Sequence, residues 1–217
     1  MDQAKTLRKI AENSKLTKVI SVTSGKGGVG KTNIISNLAY VLSSLGKKVL
    51  LMDADLGLGN IDILLGIAPK FNISHVLNGE KTLEEIIVKG PGGMSIIPAS
   101  SGIQKVTDLS NDEKRFLLAA FENLNTDFDY FLIDTGAGIS KNVTYFCIAA
   151  QEVIVIATPE PTSITDAYAL MKVLSKNYGV NKFNLVVNIA KDKNDAMQVF
   201  KTLIPVSYTH LTLPTKA

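Results

Sequence analysis

Between the apolar run Val19-Ile20-Ser21-Val22 and a helical stretch starting at Thr32 lies Gly25-Lys26-Gly27-Gly28-Val29-Gly30-Lys31-Thr32. A glycine-rich loop that closes a buried strand and opens a helix fits the phosphate-binding loop pattern. The residue types follow from the chemistry. Glycines let backbone N–H groups turn inward around phosphate oxygens, and the following helix aims the positive end of its dipole at them. Lys31 supplies a charge for the β- and γ-phosphates, and Thr32 supplies a hydroxyl for Mg²⁺. Gly25 to Thr32 are therefore the candidate nucleotide-binding residues.

The rest of the chain repeats the strand–helix alternation. Thr32 to Leu45 carries helical periodicity, and Gly46 ends it. Strands are expected at Val49–Met52, Met94–Pro98, Phe131–Ile133, Val153–Ala157 and Leu185–Val187. Helices are expected at Thr82–Lys89, with Thr82 and Glu85 as a capping box, and over 111–125, 140–150, 162–176 and 192–203. Continuous apolar strands alternating with helices predict an α/β fold: a mostly parallel central sheet with helices on both faces. Ligands bind at the carboxyl ends of such strands. Asp53 and Asp55 stand there at alternate positions, and like charges so close are unfavourable without a cation beside them. A turn-capping pair before Gly57 is the plainer alternative. Asp134 follows Phe131-Leu132-Ile133.

Composition is that of an ordinary globular chain of 217 residues, 46% hydrophobic and 20% charged. A net charge of +3 is too small to argue for nucleic acid. No apolar run approaches the roughly 18 residues that span a bilayer, and Met1 to Lys18 lacks a signal-peptide core, so a cytosolic protein is expected. The single cysteine, Cys147, excludes an intrachain disulfide and reads as a buried small hydrophobe.

Lys26 is not required by an ordinary phosphate loop. With it, Gly-Lys-Gly-Gly-Val-Gly-Lys-Thr resembles the deviant Walker A P-loop NTPases, which include MinD, ParA, the arsenite-pump ATPase and the nitrogenase iron protein. The resemblance implies an ATPase that uses ATP and Mg²⁺ and forms an ATP-dependent homodimer. Lys26 would then reach the partner's phosphates and act in catalysis with Lys31 and Asp55. A solvated surface lysine is the alternative. The resemblance further implies Asp53 near the Mg²⁺ shell and Asp55 positioning the attacking water in a first switch. It places Asp134 as the Walker B carboxylate, so the metal set is Thr32, Asp53 and Asp134. Residues 134–138 resemble the second switch. Asn188 would contact adenine, or else simply start a turn, and Glu160 would cross the dimer.

Several stretches are similar to the FlhG (YlxH, FleN) branch in particular: residues 55–60, 97–102, 134–140 and 158–166. Ahead of the first strand, Asp2-Gln3-Ala4-Lys5-Thr6-Leu7-Arg8 resembles the DQAxxLR motif of that branch. It implies contact of Asp2, Gln3, Ala4, Leu7 and Arg8 with FlhF, a signal-recognition-type GTPase. The branch also implies control of flagellar number, contact with flagellar C-ring proteins, and peripheral attachment to the inner membrane face by a C-terminal amphipathic helix of the full-length protein. No specific nucleic-acid partner is expected. The alternative is a MinD- or ParA-type ATPase that positions septum, DNA or cargo; Lys172, Lys176, Lys182, Lys191 and Lys193 would be its basic patch.

The expected organisation is a partner-binding extension over 1–17, an ATPase domain over 18–203, and a tail over 204–217. The string VSYTHLTLPT, Val206 to Thr215, resembles one reading frame of a sequencing adaptor. The tail is therefore expected to be non-native and the ATPase domain truncated.

Overall fold

A computed structural model describes residues 17–55, 59–99, 109–122, 124 and 127–208. The extension 1–16 and the tail beyond 208 lie outside the described residues. The strands are β1 Lys18–Ser24, β2 Val49–Ala54, β3 Val88–Lys89, β4 Ser95–Ile97, β5 Tyr130–Ala137, β6 Glu152–Ala157 and β7 Asn184–Val187. They form one sheet in the order β3-β4-β2-β5-β1-β6-β7, parallel except for β3. The helices are α1 Lys31–Ser44, α2 Ile61–Leu65, α3 Ile73–Leu77, α4 Leu83–Ile86, α5 Asn111–Glu122, α6 Lys141–Ala149, α7 Pro161–Tyr178 and α8 Lys193–Tyr208, with a 3₁₀ turn at Pro91–Gly93.

Side chains alternate across a strand, so each central strand must find apolar cover on both faces. Leu50 and Met52 join Ile133, Leu117 and Phe146 in one core, while Val49 and Leu51 join Leu132, Ile35 and Ala39 in another. A third core packs Val153 and Val155 of β6 against Cys147, Leu170, Leu174, Val199 and Leu203. Cys147 is 1% exposed, and burial pushes its thiol up to about 11, so it is an inert packing residue as expected.

This topology fixes where a ligand can sit. From β1 the chain crosses through α1 to β2 on one side; from β5 it crosses through α6 to β6 on the other. The sheet's switch point is thus the pair β1–β5, and the crevice opens at their carboxyl ends. Both β1 and β5 deliver their expected site residues there.

Three expectations change. The helix expected over Thr82–Lys89 stops at Ile86. Thr82 and Glu85 do form the capping box, but Ile87 is extended, and Val88–Lys89 pairs antiparallel with β4 as the sheet's edge. Strand β5 does not end at Asp134; it runs on to Ala137 because Thr135 still pairs with Ala54, and Ala137 with Ser24. Helix α8 continues past Leu203 to Tyr208, into the segment set aside as a tail; a nucleated helix extends at little cost per residue.

Candidate nucleotide site

Helix α1 starts at Lys31 with Gly30 as its N-cap, at φ 91° and with no side chain capping it. Its first N–H groups are therefore left for a ligand. Gly25 is obligatory for a different reason. A Cβ there would lie 2.1 Å from the backbone carbonyl carbon of Asp166 in α7, so the loop can pass this helix only as glycine. Ser24 Oγ donates to the Lys26 carbonyl at 2.7 Å and tightens the turn.

Asp53 and Asp134 are register partners on β2 and β5, and both are 2% exposed. Burial pushes Asp134 up to about 6; the Thr32 hydrogen bond and Lys31 pull it back, and Asp55 adds to the rise. Thr32 Oγ1 donates to Asp134 Oδ2 at 2.7 Å, whereas Asp134 Oδ1 is buried without a partner. A buried orphan oxygen beside a hydroxyl and a lysine is a site built for a cation or its water. Among the described residues no group of three His, Cys, Asp or Glu side chains forms a metal cage. That suits Mg²⁺, which takes few protein ligands and completes its shell with water and phosphate.

Asp53 is used differently from the expectation. Its Oδ2 accepts from Asn60 N at 2.9 Å and Ile61 N at 3.1 Å, and its Oδ1 from Asp55 N at 3.2 Å. It thus ties the segment after β2 to the sheet. Burial pushes it up to about 7, with the Asp134 charge adding to the rise and the three N–H groups opposing it.

A cavity of about 360 Å³ gathers Gly27, Gly28, Gly30, Lys31, Thr32, Asp53, Asp55 and Asp134. Asn33, Asn60, Thr135 and Ala137 also line it and were not anticipated. Asn33 follows the motif directly and could have been read from it; Asn60 is held by its backbone, which no sequence pattern signals. Gly25, Lys26, Val29 and Asn188 do not line the cavity. Val29 is buried, and its carbonyl accepts from Asn188 Nδ2 at 2.9 Å. Lys26 Nζ is held by Glu160 and Thr162 of the same chain.

A larger depression, about 560 Å³, lies between α4 and α5 and is lined by Val76, Lys81, Leu83, Glu84, Phe116 and Ala120 among others. It has neither the glycine loop nor the carboxylate pair. The basic residues of the alternative reading do not form one stripe. Lys176 and Lys182 lie before β7, at the end of the sheet away from the crevice, and Lys191 and Lys193 lie after it. No helix among the described residues is long and apolar enough to cross a membrane.

Residues 17–189 match the family described as AAA domain. The chain is 45% identical over 189 residues to the antiactivator FleN of Pseudomonas aeruginosa, covering 87% of this chain and 68% of that protein. It is 38% identical over 200 residues to the flagellum site-determining protein YlxH of Helicobacter pylori, covering 92% and 67%. The septum site-determining protein MinD of Pyrococcus horikoshii, solved in complex with Mg-ADP, superposes with a TM-score of 0.70 at 26% identity, covering 87% of this chain and 78% of that one.

Proposed function

Because the chain belongs to the MinD-like ATPase family that includes FleN and YlxH, we propose that it is an ATP-switched regulator of flagellar number that dimerises around ATP and activates the FlhF GTPase. Its family makes it an ATPase acting with ATP and Mg²⁺ in flagellar regulation. The finer steps are our reading of the site.

The observation that carries this reading is the Thr32–Asp134 contact under the phosphate loop, with Asp134 Oδ1 left buried and unpaired. Thr32 and Asp134 would hold Mg²⁺, Asp134 through water. Bound there, Mg²⁺ would draw charge from the β- and γ-phosphates. Lys31 and the open N–H groups of α1 would hold the phosphates in place. Asp55 lines the same cavity beside Gly136, and its carboxylate would orient the attacking water. Lys26 would leave Glu160 and neutralise phosphate charge in a second chain. Residues 1–13 would dock on FlhF. In the full-length protein, a C-terminal amphipathic helix would add reversible membrane attachment and the dimer would couple two such helices.

Mg²⁺-dependent phosphate release, with light scattering in ATP and in ADP, tests the core of the proposal. Wild type should release phosphate and gain mass in ATP alone, and Asp134→Asn should lose the Mg²⁺ dependence. ATP turnover by Asp134→Asn at the wild-type rate would overturn the assignment.

A further inference from the structure

We infer that Asn188 is a positioning and specificity residue: its amide nitrogen holds the phosphate loop, and this leaves only its amide oxygen to read the base. The inference rests on the nucleotide reading above.

Asn188 directly follows β7 and is fixed twice. Its backbone N–H donates to the Ala157 carbonyl at 2.8 Å, and its Nδ2 donates to the Val29 carbonyl at 2.9 Å, joining positions 159 residues apart. A carbonyl oxygen can only accept, so the amide nitrogen must face Val29. The fit is close, since a Cβ on Gly30 would lie 2.5 Å from Nδ2. Ile189, the next residue, has φ 57°, the one non-glycine residue at positive φ among the described residues. A β-branched side chain is strained in that conformation and persists there only where its surroundings fix the backbone. The two Asn188 bonds do so. Ile189 itself is 69% exposed, an apolar side chain at the mouth of the crevice.

The sheet order says which part of a nucleotide comes near. The phosphate loop follows β1. On its β5 and β2 side stand the carboxylates Asp134 and Asp53; on its β6 and β7 side stands Asn188. A triphosphate on the loop, with its metal toward the carboxylates, leaves its base toward β7. With Nδ2 committed to Val29, Asn188 can offer the base only Oδ1, an acceptor. The exocyclic amine of adenine donates to such an oxygen. Guanine carries a carbonyl oxygen at the equivalent edge, and two acceptors would then face each other. The phosphate loop thus sets which end of the amide meets the base, and one side chain connects base recognition to phosphate placement.

Calorimetric titration of the chain with Mg-ATP, Mg-GTP and Mg-tripolyphosphate, which has no base, tests this with wild type, Asn188→Ala and Asn188→Asp. A melting curve for each variant establishes folding, and Asn188→Asp, close in size, serves if the alanine variant does not fold. Wild type should prefer ATP to GTP. Both variants should bind tripolyphosphate about three- to tenfold more weakly, the range for one lost hydrogen bond. Asn188→Ala should also reduce the ATP:GTP preference by roughly tenfold. Unchanged tripolyphosphate affinity would overturn the loop contact as a positioning device, and an unchanged ATP:GTP preference would overturn the base reading. If wild type binds neither ATP nor tripolyphosphate, the nucleotide site itself is wrong. If it binds both and the variants match it, only the role of Asn188 fails.

Discussion

Lys26 Nζ lies 2.5 Å from Glu160 Oε2 and 3.0 Å from Thr162 Oγ1 of its own chain. The sequence had suggested that Lys26 and Glu160 each act across a dimer; within one chain they hold one another. Their side chains are 38% and 63% exposed, so solvent screens the pair and it contributes at most about 1 kcal/mol. Glu160→Gln should therefore shift the melting temperature by no more than about 2 °C. Lys26→Ala should weaken ATP-dependent dimerisation by at least about tenfold, a loss of about 1.4 kcal/mol, while monomer affinity for ATP stays the same. Sedimentation in ATP reads the first and calorimetry the second. Dimer formation equal to wild type would remove Lys26 from the interface.

Asp55 stands apart from the two buried carboxylates. It lines the cavity, and the ideal Cβ position of Gly136 lies 3.6 Å from its carboxyl carbon. Asp55→Ala should leave ATP affinity nearly unchanged, because Lys31 and the loop amides remain. Hydrolysis should fall by about a hundredfold or more, the usual cost of losing a group that activates or orients the nucleophile. The ATP-bound dimer should accumulate as a result. Single-turnover phosphate release separates the two effects, and a wild-type rate would show that another group positions the water.

The buried pair Asp53 and Asp134 gives the nucleotide-free protein a pH dependence of defined sign. Their folded-state values, about 7 and about 6, exceed the ordinary 3.8, chiefly through burial. Between about pH 4 and pH 7 the folded chain keeps protons that the unfolded chain has released, so stability falls as pH rises through this window. A shift of roughly two units sets an upper bound of about 3 kcal/mol for Asp134. Melting curves should show the apo protein more stable at pH 5 than at pH 7.5 with respect to these groups, and Asp53→Asn should flatten the slope. Bound Mg²⁺ favours ionised Asp134, so the stabilisation by Mg-ADP should grow over the same range. A slope unchanged by Asp53→Asn would show that other groups set it.

The sequence carried the site further than it carried the small elements. Glycines, lysines and strand-end aspartates are side-chain signals with fixed spacing, and Lys31, Thr32, Asp55 and Asp134 converge where the topology predicts. Helices α2 and α3 were not anticipated, because five residues make little more than one turn and show no period. The two-residue β3 was read as the end of a helix for the same reason. Asp53 was placed in the metal shell, yet its carboxylate meets backbone N–H groups of residues 55, 60 and 61, donors that every residue type carries. Asn188 was read for its side chain alone, and its Val29 contact spans too much sequence for any local pattern to reveal.

The segment Asp2-Gln3-Ala4-Lys5-Thr6-Leu7-Arg8 lies outside the described residues and separates the FlhG reading from a generic MinD relative. The described ATPase does not depend on it: the chain is anchored from Thr17, whose Oγ1 donates to the Phe128 carbonyl at 2.6 Å, and β1 begins at Lys18. So short a segment is marginal as an isolated helix, and ordering it on a partner costs free energy at the moment of contact. Modest affinity for FlhF is therefore expected, with Leu7 and Ile10 in an apolar groove and Gln3 and Arg8 in polar contacts. A peptide of residues 1–13 should accelerate GTP hydrolysis by the cognate FlhF, as should the intact chain. Deleting residues 1–16 should abolish the acceleration and leave ATP binding intact, and Arg8→Ala in the peptide should reduce it. Steady-state GTPase assays with the peptide, intact and deleted chains decide the matter. Acceleration that survives the deletion would move the FlhF contact onto the ATPase domain, and no acceleration by any form would leave a MinD-like positioning ATPase as the better reading.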